Sequence, residues 1–283
     1  MKNSIDFNEL ISDLYQYFHM ENRGIILNKF CNELLLRGWN VSRIADKYGV
    51  TPHLMNDRMI KLYTESDAFI YECSVASLEP EKIKKDKFIS DYIKNKIPCD
   101  QLAVLCYGDG IGIDSQIHAE NGHSVTYFDF EGLSSNFAKY RLSEMGLIDK
   151  IKFISNELKL ECNIYDVVIC REVLEHLENP INTMQNLWKY LNKDGICFLS
   201  ESFSRVENFF PTHLASNLKY ADKTIKLMVN LGFRYIDSFE DTNLLVFKKT
   251  EINDNLRFAT IPKISLKRKI KNRLRNKLMY YLS

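Results

Sequence analysis

Several features that would place the chain in a special class of protein are absent from its 283 residues. No apolar run reaches the roughly 18–20 residues that a membrane-spanning helix needs. The N-terminal stretch MKNSIDFNELISDLY lacks the apolar core of a signal peptide, because acidic residues interrupt it. The seven cysteines are odd in number and scattered without any C-x-x-C pair, which argues against a zinc ribbon or a disulfide framework. We therefore expect a protein of the reducing cytoplasm.

The net charge of the whole chain is only +1, but the C-terminal end is strongly basic. Residues 263–283 contain eight basic residues and no acidic residue. The rest of the chain therefore has 38 − 8 = 30 basic residues against 37 acidic residues and is acidic. Apolar residues recur at every fourth position of this segment, at Leu266, Ile270, Leu274 and Leu278. Residues 251–283 are therefore predicted to form a basic amphipathic tail. Such a tail packs on the acidic body, lies on an anionic membrane surface or contacts nucleic acid.

Residues 1–97 are predicted to form a helical domain. Apolar residues recur at helical spacing in FNELISDLYQYF, GIILNKFCNELLLRGW and EPEKIKKDKFISDYIKN. Within this domain, residues 41–63 resemble a helix-turn-helix, with Gly49 in the turn and Thr51 as the N-cap of the second helix.

This helix-turn-helix-like segment has two interpretations. A DNA-binding element needs a basic surface, and the second helix instead mixes Asp57 with Arg58 and Lys61. The same arrangement of helices also serves as a plain packing unit. We favour a helical cap over the remainder of the chain, with DNA binding as the alternative.

After Pro98 the pattern changes, and short apolar runs alternate with helical stretches. The runs are QLAVLCY, SVTYFDF, IKFIS, YDVVICR and GICFLSES, and this alternation is typical of a doubly wound parallel sheet. The last two runs, FRYIDSFE and NLLVFKKT, are separated only by DTN and are predicted to form an antiparallel hairpin. We therefore predict one α/β domain over residues 98–250.

Three glycines on alternate positions follow the first strand in VLCYGDGIGIDS. A P-loop requires Lys-Ser/Thr after the glycines, and a dinucleotide fingerprint requires a third glycine where Ile113 stands. No basic residue near the loop is available for a pyrophosphate. S-adenosylmethionine (SAM) fits these constraints, because it has a nucleoside and no phosphate. Its ribose hydroxyls need a carboxylate, which Asp129 supplies at the end of the next strand.

These motifs together resemble the class I SAM-dependent methyltransferases over about residues 100–250. The resemblance rests on VLCYGDGIG, VTYFDF, YDVVICREVLEHLENP and LWKYLNKDGICFLS, in that order. It implies a seven-stranded, mostly parallel sheet with a terminal antiparallel hairpin, SAM as cofactor and S-adenosylhomocysteine as product. The chain departs from the family at Cys106, where an acid is usual, and at Asn156, where the third strand usually ends in an acid.

The resemblance also implies the cofactor-binding residues. They are expected at the ends of the first four strands. Separately from the resemblance, Tyr71 or Glu72 is expected to reach the cofactor, because FIYECSVASLEPEKI immediately precedes the sheet. The predicted set in the α/β domain is Gly108, Asp109, Gly110, Gly112, Asp129, Phe130, Asn156, Glu157, Cys170 and Arg171.

The stretch EVLEHL, after the fourth strand, offers candidates for the chemistry. In one interpretation Glu175 and His176 only pack and cap a helix. In a second, Glu172, Glu175 and His176 share a helix face and bind a divalent metal. This pattern resembles that of ubiquinone-biosynthesis O-methyltransferases and small-RNA 2′-O-methyltransferases, in which a metal holds the acceptor oxygens. In a third, His176 acts as a general base without a metal. Glu172 is a further candidate for a catalytic residue.

His213, in FFPTHLASNLKY, is the other histidine of interest. It follows the fifth strand, where this fold often inserts structure that binds the acceptor, and Phe209, Phe210 and Tyr220 lie near it in the sequence. His213 is either a solvated loop residue or a general base beside an acceptor pocket.

The sequence therefore predicts an enzyme that transfers a methyl group from SAM to a small molecule or glycan, at oxygen or nitrogen, in a biosynthetic pathway. The alternative is a SAM-responsive regulator that binds DNA through residues 41–63. The acceptor's identity and the oligomeric state do not follow from the sequence.

Overall fold

The computed structural model describes residues 6–240 and 242–250 of the chain. The N-terminal part consists of six helices: α1 (Phe7–Tyr17), α2 (Arg23–Leu35), α3 (Trp39–Tyr48), α4 (Asp57–Glu65), α5 (Ala68–Ser77) and α6 (Pro80–Lys96). The basic tail predicted over residues 251–283 lies outside the described residues.

Strands and helices then alternate along the chain. They are β1 (Ala103–Tyr107), α7 (Ile113–Glu120), β2 (Ser124–Phe128), α8 (Leu133–Glu144), β3 (Ile151–Ile154), β4 (Tyr165–Arg171), α9 (Pro180–Tyr190), β5 (Leu191–Ser200), α10 (Thr224–Asn230), β6 (Phe233–Ser238) and β7 (Leu245–Lys249).

The strands form one seven-stranded sheet in the order β3-β2-β1-β4-β5-β7-β6. Strands β1 to β5 pair in parallel, and β7 runs antiparallel to both β5 and β6. The predicted fold class, a mostly parallel doubly wound sheet with a terminal antiparallel hairpin, is confirmed. The strand order reverses between β1 and β4, and ligands of such sheets bind in the crevice at that reversal, outside the carboxyl ends of the strands.

Each face of the sheet buries its own apolar layer, because successive side chains of a strand point to opposite faces. On β1, Val104 and Cys106 pack in the layer that also contains Ile89 of α6, whereas Leu105 packs in the layer with Leu187 of α9. Cys106, which stands where the resemblance leads one to expect an acid, is fully buried in this core.

The helix-turn-helix-like segment has the predicted two helices but not the predicted cap. The N-cap of α4 is Asn56, whose side chain accepts a hydrogen bond from the Met59 N–H at 3.0 Å, so the prediction of Thr51 as the cap is wrong. Residues 50–56 form a connecting loop instead, because His53 adopts a left-handed conformation with φ of 64°. Helix α4 buries Met59 and Leu62 and therefore packs inward.

No helix among residues 6–240 and 242–250 is both long and apolar enough to cross a membrane.

A buried arginine connects the N-terminal helices to the α/β domain. Arg141 of α8 is fully buried, and its guanidinium binds Asp13 of α1 at 2.9 Å. It also donates to the Ile111 carbonyl at 3.0 Å and to the Gln116 side chain at 2.9 Å. One side chain therefore joins α1, the glycine loop and α7.

Substitution of Arg141 by methionine should lower the free energy of unfolding by about 3–5 kcal/mol. The change removes the Arg141 cation from Asp13 and the Arg141 donor from the Ile111 carbonyl, and breaking a buried ion pair from one side costs that much. Chemical denaturation followed by circular dichroism measures the difference.

Lys152→Met provides the matched control. Its ion pair with Glu161 is exposed, with 58% of each side chain accessible, and such exposed pairs contribute little to stability. Equal losses of stability in the two variants would contradict the role given to Arg141.

Candidate functional site

The glycine loop lies at the reversal of strand order and is held by backbone contacts. The Gly108 N–H donates to the Phe128 carbonyl at 2.7 Å, and the Tyr127 hydroxyl donates to the Gly110 carbonyl at 2.7 Å. Gly108 has a φ of 71°, and a Cβ there would lie 2.4 Å from Cγ2 of Val173. Only glycine allows the ends of β1 and β4 to approach this closely.

Helix α5 of the N-terminal part covers the loop from the other side. A Cβ at Gly110 would lie 3.4 Å from Sγ of Cys73, so α5 is within van der Waals contact of the loop backbone. The neighbouring Glu72 carboxyl has a pKa raised to about 7 by burial, an effect that Arg37 partly offsets. The cleft is therefore built from both parts of the chain.

Asp129 stands beside the glycine loop, as predicted from its place at the end of β2. Its carboxylate accepts hydrogen bonds from the Gly110 N–H at 2.6 Å and from the Phe130 N–H at 2.7 Å. Burial raises the pKa of Asp129 to about 6, although both backbone hydrogen bonds act in the opposite direction. The Phe130 side chain, also in the predicted set, is 61% exposed.

Asp109 and Gly112 contribute to the structure of the turn that precedes α7. The Asp109 carboxylate accepts from the Asp114 N–H at 3.0 Å and from the Ser115 N–H at 2.8 Å. It therefore satisfies free N–H groups at the N-terminus of α7. At Gly112, a Cβ would lie 2.8 Å from Cδ1 of Leu142, so α8 packs closely against this turn.

Asn156 and Glu157 follow β3 and are engaged within the protein. Asn156 is exposed, and its side-chain oxygen accepts from the Leu158 N–H at 3.0 Å. One oxygen of Glu157 accepts from the hydroxyls of Tyr107 and Tyr190, both at 3.0 Å.

Cys170, Arg171 and Tyr71, the remaining predicted contacts, are buried. Cys170 packs in the core on the α9 side of the sheet. Arg171 donates to Asp86 at 2.6 Å and also pairs with Asp114, so it joins β4 to α6 and α7. Tyr71 packs in the apolar cluster that contains Ile111 and Ile113 of the glycine-loop region, and the next residue, Glu72, is only partly buried. The cofactor roles of these residues stay predictions.

The stretch after β4 is a short 3-10 turn, Leu174–His176, and not the expected α-helix. The prediction that Glu172, Glu175 and His176 share a helix face is therefore wrong. The Asn217 amide donates to the carbonyls of Glu175 at 3.1 Å and Leu177 at 2.8 Å, and these bonds hold the turn.

Glu172 has hydrogen-bond partners of its own. It has a left-handed backbone with φ of 55°, which is uncommon for a residue with a side chain. Burial alone would raise its pKa, but the Lys85 charge and the hydrogen bonds from Ser202 and Asn243 lower it to about 2.

The fold places His213 beside Glu175 and His176. Ligand-type atoms of Glu175, His176 and His213 all lie within 4.8 Å of one another. The imidazole rings of His176 and His213 meet edge to face, with centroids 4.8 Å apart. The two histidines singled out in the sequence therefore share one site.

The electrostatics of this cluster keep its histidines neutral. Burial lowers the pKa of His176, and burial together with the neighbouring His176 lowers the pKa of His213 to about 2. Glu175 is buried, its carboxylate oxygens have no well-formed hydrogen bond within the described residues, and burial raises its pKa well above the usual range. Two neutral imidazoles and an unsatisfied carboxyl can accept a proton or bind a cation.

Tyr63 is a residue of this site that sequence reasoning missed. Its hydroxyl lies 3.0 Å from Nδ1 of His176, and its carbonyl oxygen would lie 3.0 Å from a Cβ at Gly132, three residues after Asp129. It thus stands between the glycine-loop side of the cleft and the histidine cluster. Its position beside the buried Met59 and Leu62 on α4 is the signal that would have marked it as facing inward.

Comparison with known proteins agrees with this geometry. A sequence model described as a methyltransferase domain matches residues 81–241. Ubiquinone biosynthesis O-methyltransferases are among the relatives. The protein from Haemophilus ducreyi (strain 35000HP / ATCC 700724) is 37% identical over 103 residues, which is 34% of this chain and 44% of that protein. The one from Rickettsia canadensis (strain McKiel) is 34% identical over 119 residues, 39% of this chain and 49% of that protein. Each match spans less than half of the relative's own length.

Similar solved structures include the 1,6-didemethyltoxoflavin-N1-methyltransferase of Burkholderia thailandensis. It has a TM-score of 0.40 and 17% identity, and the similarity covers 61% of this chain and 91% of that one. An arsenic(III) S-adenosylmethionine methyltransferase from Chlamydomonas reinhardtii has a TM-score of 0.42 and 17% identity, covering 54% and 64%. The family match extends over more than half of the chain, from α6 into the terminal hairpin. The chain therefore belongs to the methyltransferase domain family, among the SAM-dependent class I methyltransferases.

Proposed function

We propose that the protein transfers a methyl group from SAM to a hydroxyl of a small molecule. The observation that carries this proposal is the placement of Tyr63 between the end of β2, where Asp129 lies beside the glycine loop, and His176 in the histidine cluster. A cofactor bound on the first side would present its methyl group to an acceptor bound on the second.

The glycine-loop side suits a nucleoside cofactor. Asp129 is ionised near neutral pH and is close enough to the loop to bind Gly110. We propose that its carboxylate accepts the two ribose hydroxyls of SAM.

The histidine cluster suits the acceptor. Methyl transfer breaks the bond from sulfur to the methyl carbon as the acceptor oxygen forms its own bond to that carbon, and the hydroxyl proton must leave. The neutral imidazole of His176 can take that proton, whereas burial lowers the pKa of His213 to about 2 and makes that ring a weak base. The relatives named as O-methyltransferases support oxygen as the acceptor atom.

The donor set of the cluster also fits a divalent cation. Two neutral imidazoles and one carboxylate are ligands of the type that Zn²⁺ and similar ions take, and a cation would balance the buried charge of Glu175 on ionisation. When bound, such an ion would supply a positive charge that favours the deprotonated acceptor oxygen. Glu175, His176 and His213 would hold it, whereas Glu172 keeps its hydrogen bonds to Ser202 and Asn243.

The N-terminal helices support this enzyme rather than a DNA-binding regulator. Helix α4, the second helix of the helix-turn-helix-like segment, points Met59 and Leu62 into the core and brings Tyr63 to His176. We propose that this segment caps the cleft.

Asp129→Ala should weaken SAM binding by about 1.5–3 kcal/mol, the value of hydrogen bonds to a charged group. Binding should also weaken in the wild type as the pH falls below about 6, because the free carboxyl then takes up a proton that the ribose hydroxyls must displace. Isothermal titration calorimetry at pH 5 and pH 7.5 measures both effects.

Asp149→Ala is the matched control for this experiment, because Asp149 is an exposed aspartate after α8. It should leave SAM affinity unchanged at both pH values. An Asp129→Ala variant that binds SAM as the wild type does would remove Asp129 from the cofactor site.

Cation binding is tested without any acceptor. Zn²⁺ titrated into metal-free protein should bind with one ion per chain, and Glu175→Gln combined with His213→Gln should abolish that stoichiometric binding. Glu178→Gln, at an exposed position next to the turn, should bind as the wild type does. Stoichiometric binding that survives the double substitution, or no binding to the wild type, would contradict a cation site here.

The acceptor class is tested with SAM carrying a radioactive methyl group. The enzyme is incubated with a cell extract separated into small-molecule, protein and nucleic-acid fractions. Label should enter the small-molecule fraction and should be lost with Asp129→Ala. Transfer of label to protein or nucleic acid alone would contradict the proposed acceptor.

A further inference from the structure

Tyr63 makes the contact through which the N-terminal helices reach His176. Its hydroxyl oxygen lies 3.0 Å from Nδ1 of His176. The same Nδ1 lies 3.1 Å from the Thr212 carbonyl oxygen. Three groups from α4, the turn after β4 and the loop after β5 therefore meet at one point.

The chemistry of these groups determines where the protons lie. A backbone carbonyl can only accept, so the contact between His176 and Thr212 is a hydrogen bond only when Nδ1 carries the proton. The Tyr63 hydroxyl then cannot donate to Nδ1, and its oxygen accepts from the Nδ1–H at 3.0 Å instead. Both oxygens thus face the same N–H, and Nε2 of His176 keeps its lone pair.

The Thr212 carbonyl is itself held in place by the N-terminal helices. In the loop between α3 and α4, the His53 N–H donates to the Pro211 carbonyl at 2.7 Å, and the His53 carbonyl accepts from the Ala215 N–H at 3.0 Å. Nδ1 of His53 lies 2.9 Å from the His213 carbonyl. The segment around Thr212 is therefore attached at three points to the same structure that carries Tyr63.

Tyr63 has little freedom to move away from this point. Its ring stacks on Phe69, with centroids 4.7 Å apart and planes 6° from parallel. The end of α4 also packs against the start of α8, since a Cβ at Gly132 would lie 3.0 Å from both the Tyr63 carbonyl oxygen and Cα of Thr64. The hydroxyl is thus fixed relative to the end of β2, where Asp129 lies.

We propose that Tyr63 is a positioning residue of the N-terminal helices that, with the Thr212 carbonyl, holds His176 in the tautomer protonated at Nδ1. Nε2 is then the only ring nitrogen of His176 available to the acceptor proton or to a cation. The consequence for methyl transfer rests on the proposed function, whereas the tautomer is a property of the protein alone.

Nuclear magnetic resonance of protein labelled with ¹⁵N-histidine tests the tautomer directly. The chain has only six histidines, so His176→Gln assigns the signal of His176 by its loss. In the wild type at pH 7.5, the His176 nitrogen shifts should show a neutral ring with the proton on Nδ1. A ring protonated at Nε2 would overturn the proposal.

Tyr63→Phe, which removes only the hydroxyl, tests the part played by Tyr63. It should shift the His176 signals and reduce the fraction protonated at Nδ1, while SAM affinity measured by calorimetry stays within about 2-fold. Tyr48→Phe, on α3 of the same domain, is the matched control and should leave the His176 signals unchanged.

The outcomes separate this proposal from the proposed function. Identical His176 signals in Tyr63→Phe and the wild type would overturn the role of Tyr63, even where methyl transfer is observed. A wild type with the Nδ1 tautomer and a shifted Tyr63→Phe signal supports the role of Tyr63, even where no labelled product forms. If Tyr63→Phe does not fold, the tautomer of the wild type still decides whether His176 is held as proposed.

Discussion

The position of the glycine loop is the constraint on which the rest of the site depends. Two carboxylates hold the loop by accepting backbone N–H groups, Asp129 from Gly110 and Asp109 from the first turn of α7. Arg141 fixes its far side through the Ile111 carbonyl. Buried backbone groups need partners, so these bonds leave the loop one conformation. That conformation opens the cleft between β1 and β4, and both the N-terminal helices and the segment after β4 are arranged around it.

The N-terminal helices lie outside most of the family match but inside the site. Cys73 contacts the glycine loop, Tyr63 reaches His176, and His53 binds the segment that carries His213. In the proposed function, the fold of the family supplies the cofactor side of the cleft, and the N-terminal helices complete the acceptor side. An acceptor pocket built in this way can differ between relatives while the sheet remains the same.

The fold could be predicted from the sequence because its signals are local. Strand-length apolar runs, the alternating glycines and Asp129 at a strand end each depend on neighbouring residues only. The histidine cluster could be predicted only in part, because a 3-10 turn replaces the expected helix and His213 reaches Glu175 through tertiary structure. Local signals also compete: Thr51 resembles an N-cap, but Asn56 has the hydrogen bond. Arg171 could not be distinguished from a cofactor contact, since only the fold reveals Asp86 and Asp114 beside it.

A crystal structure with S-adenosylhomocysteine bound would test the central claim most directly. The account predicts that both ribose hydroxyls lie within hydrogen-bond distance of the Asp129 carboxylate. It also predicts that the sulfur faces the cluster of Glu175, His176 and His213, with Tyr63 beside the open volume between them. A ribose bound away from Asp129, or a sulfur directed away from the histidine cluster, would contradict the account.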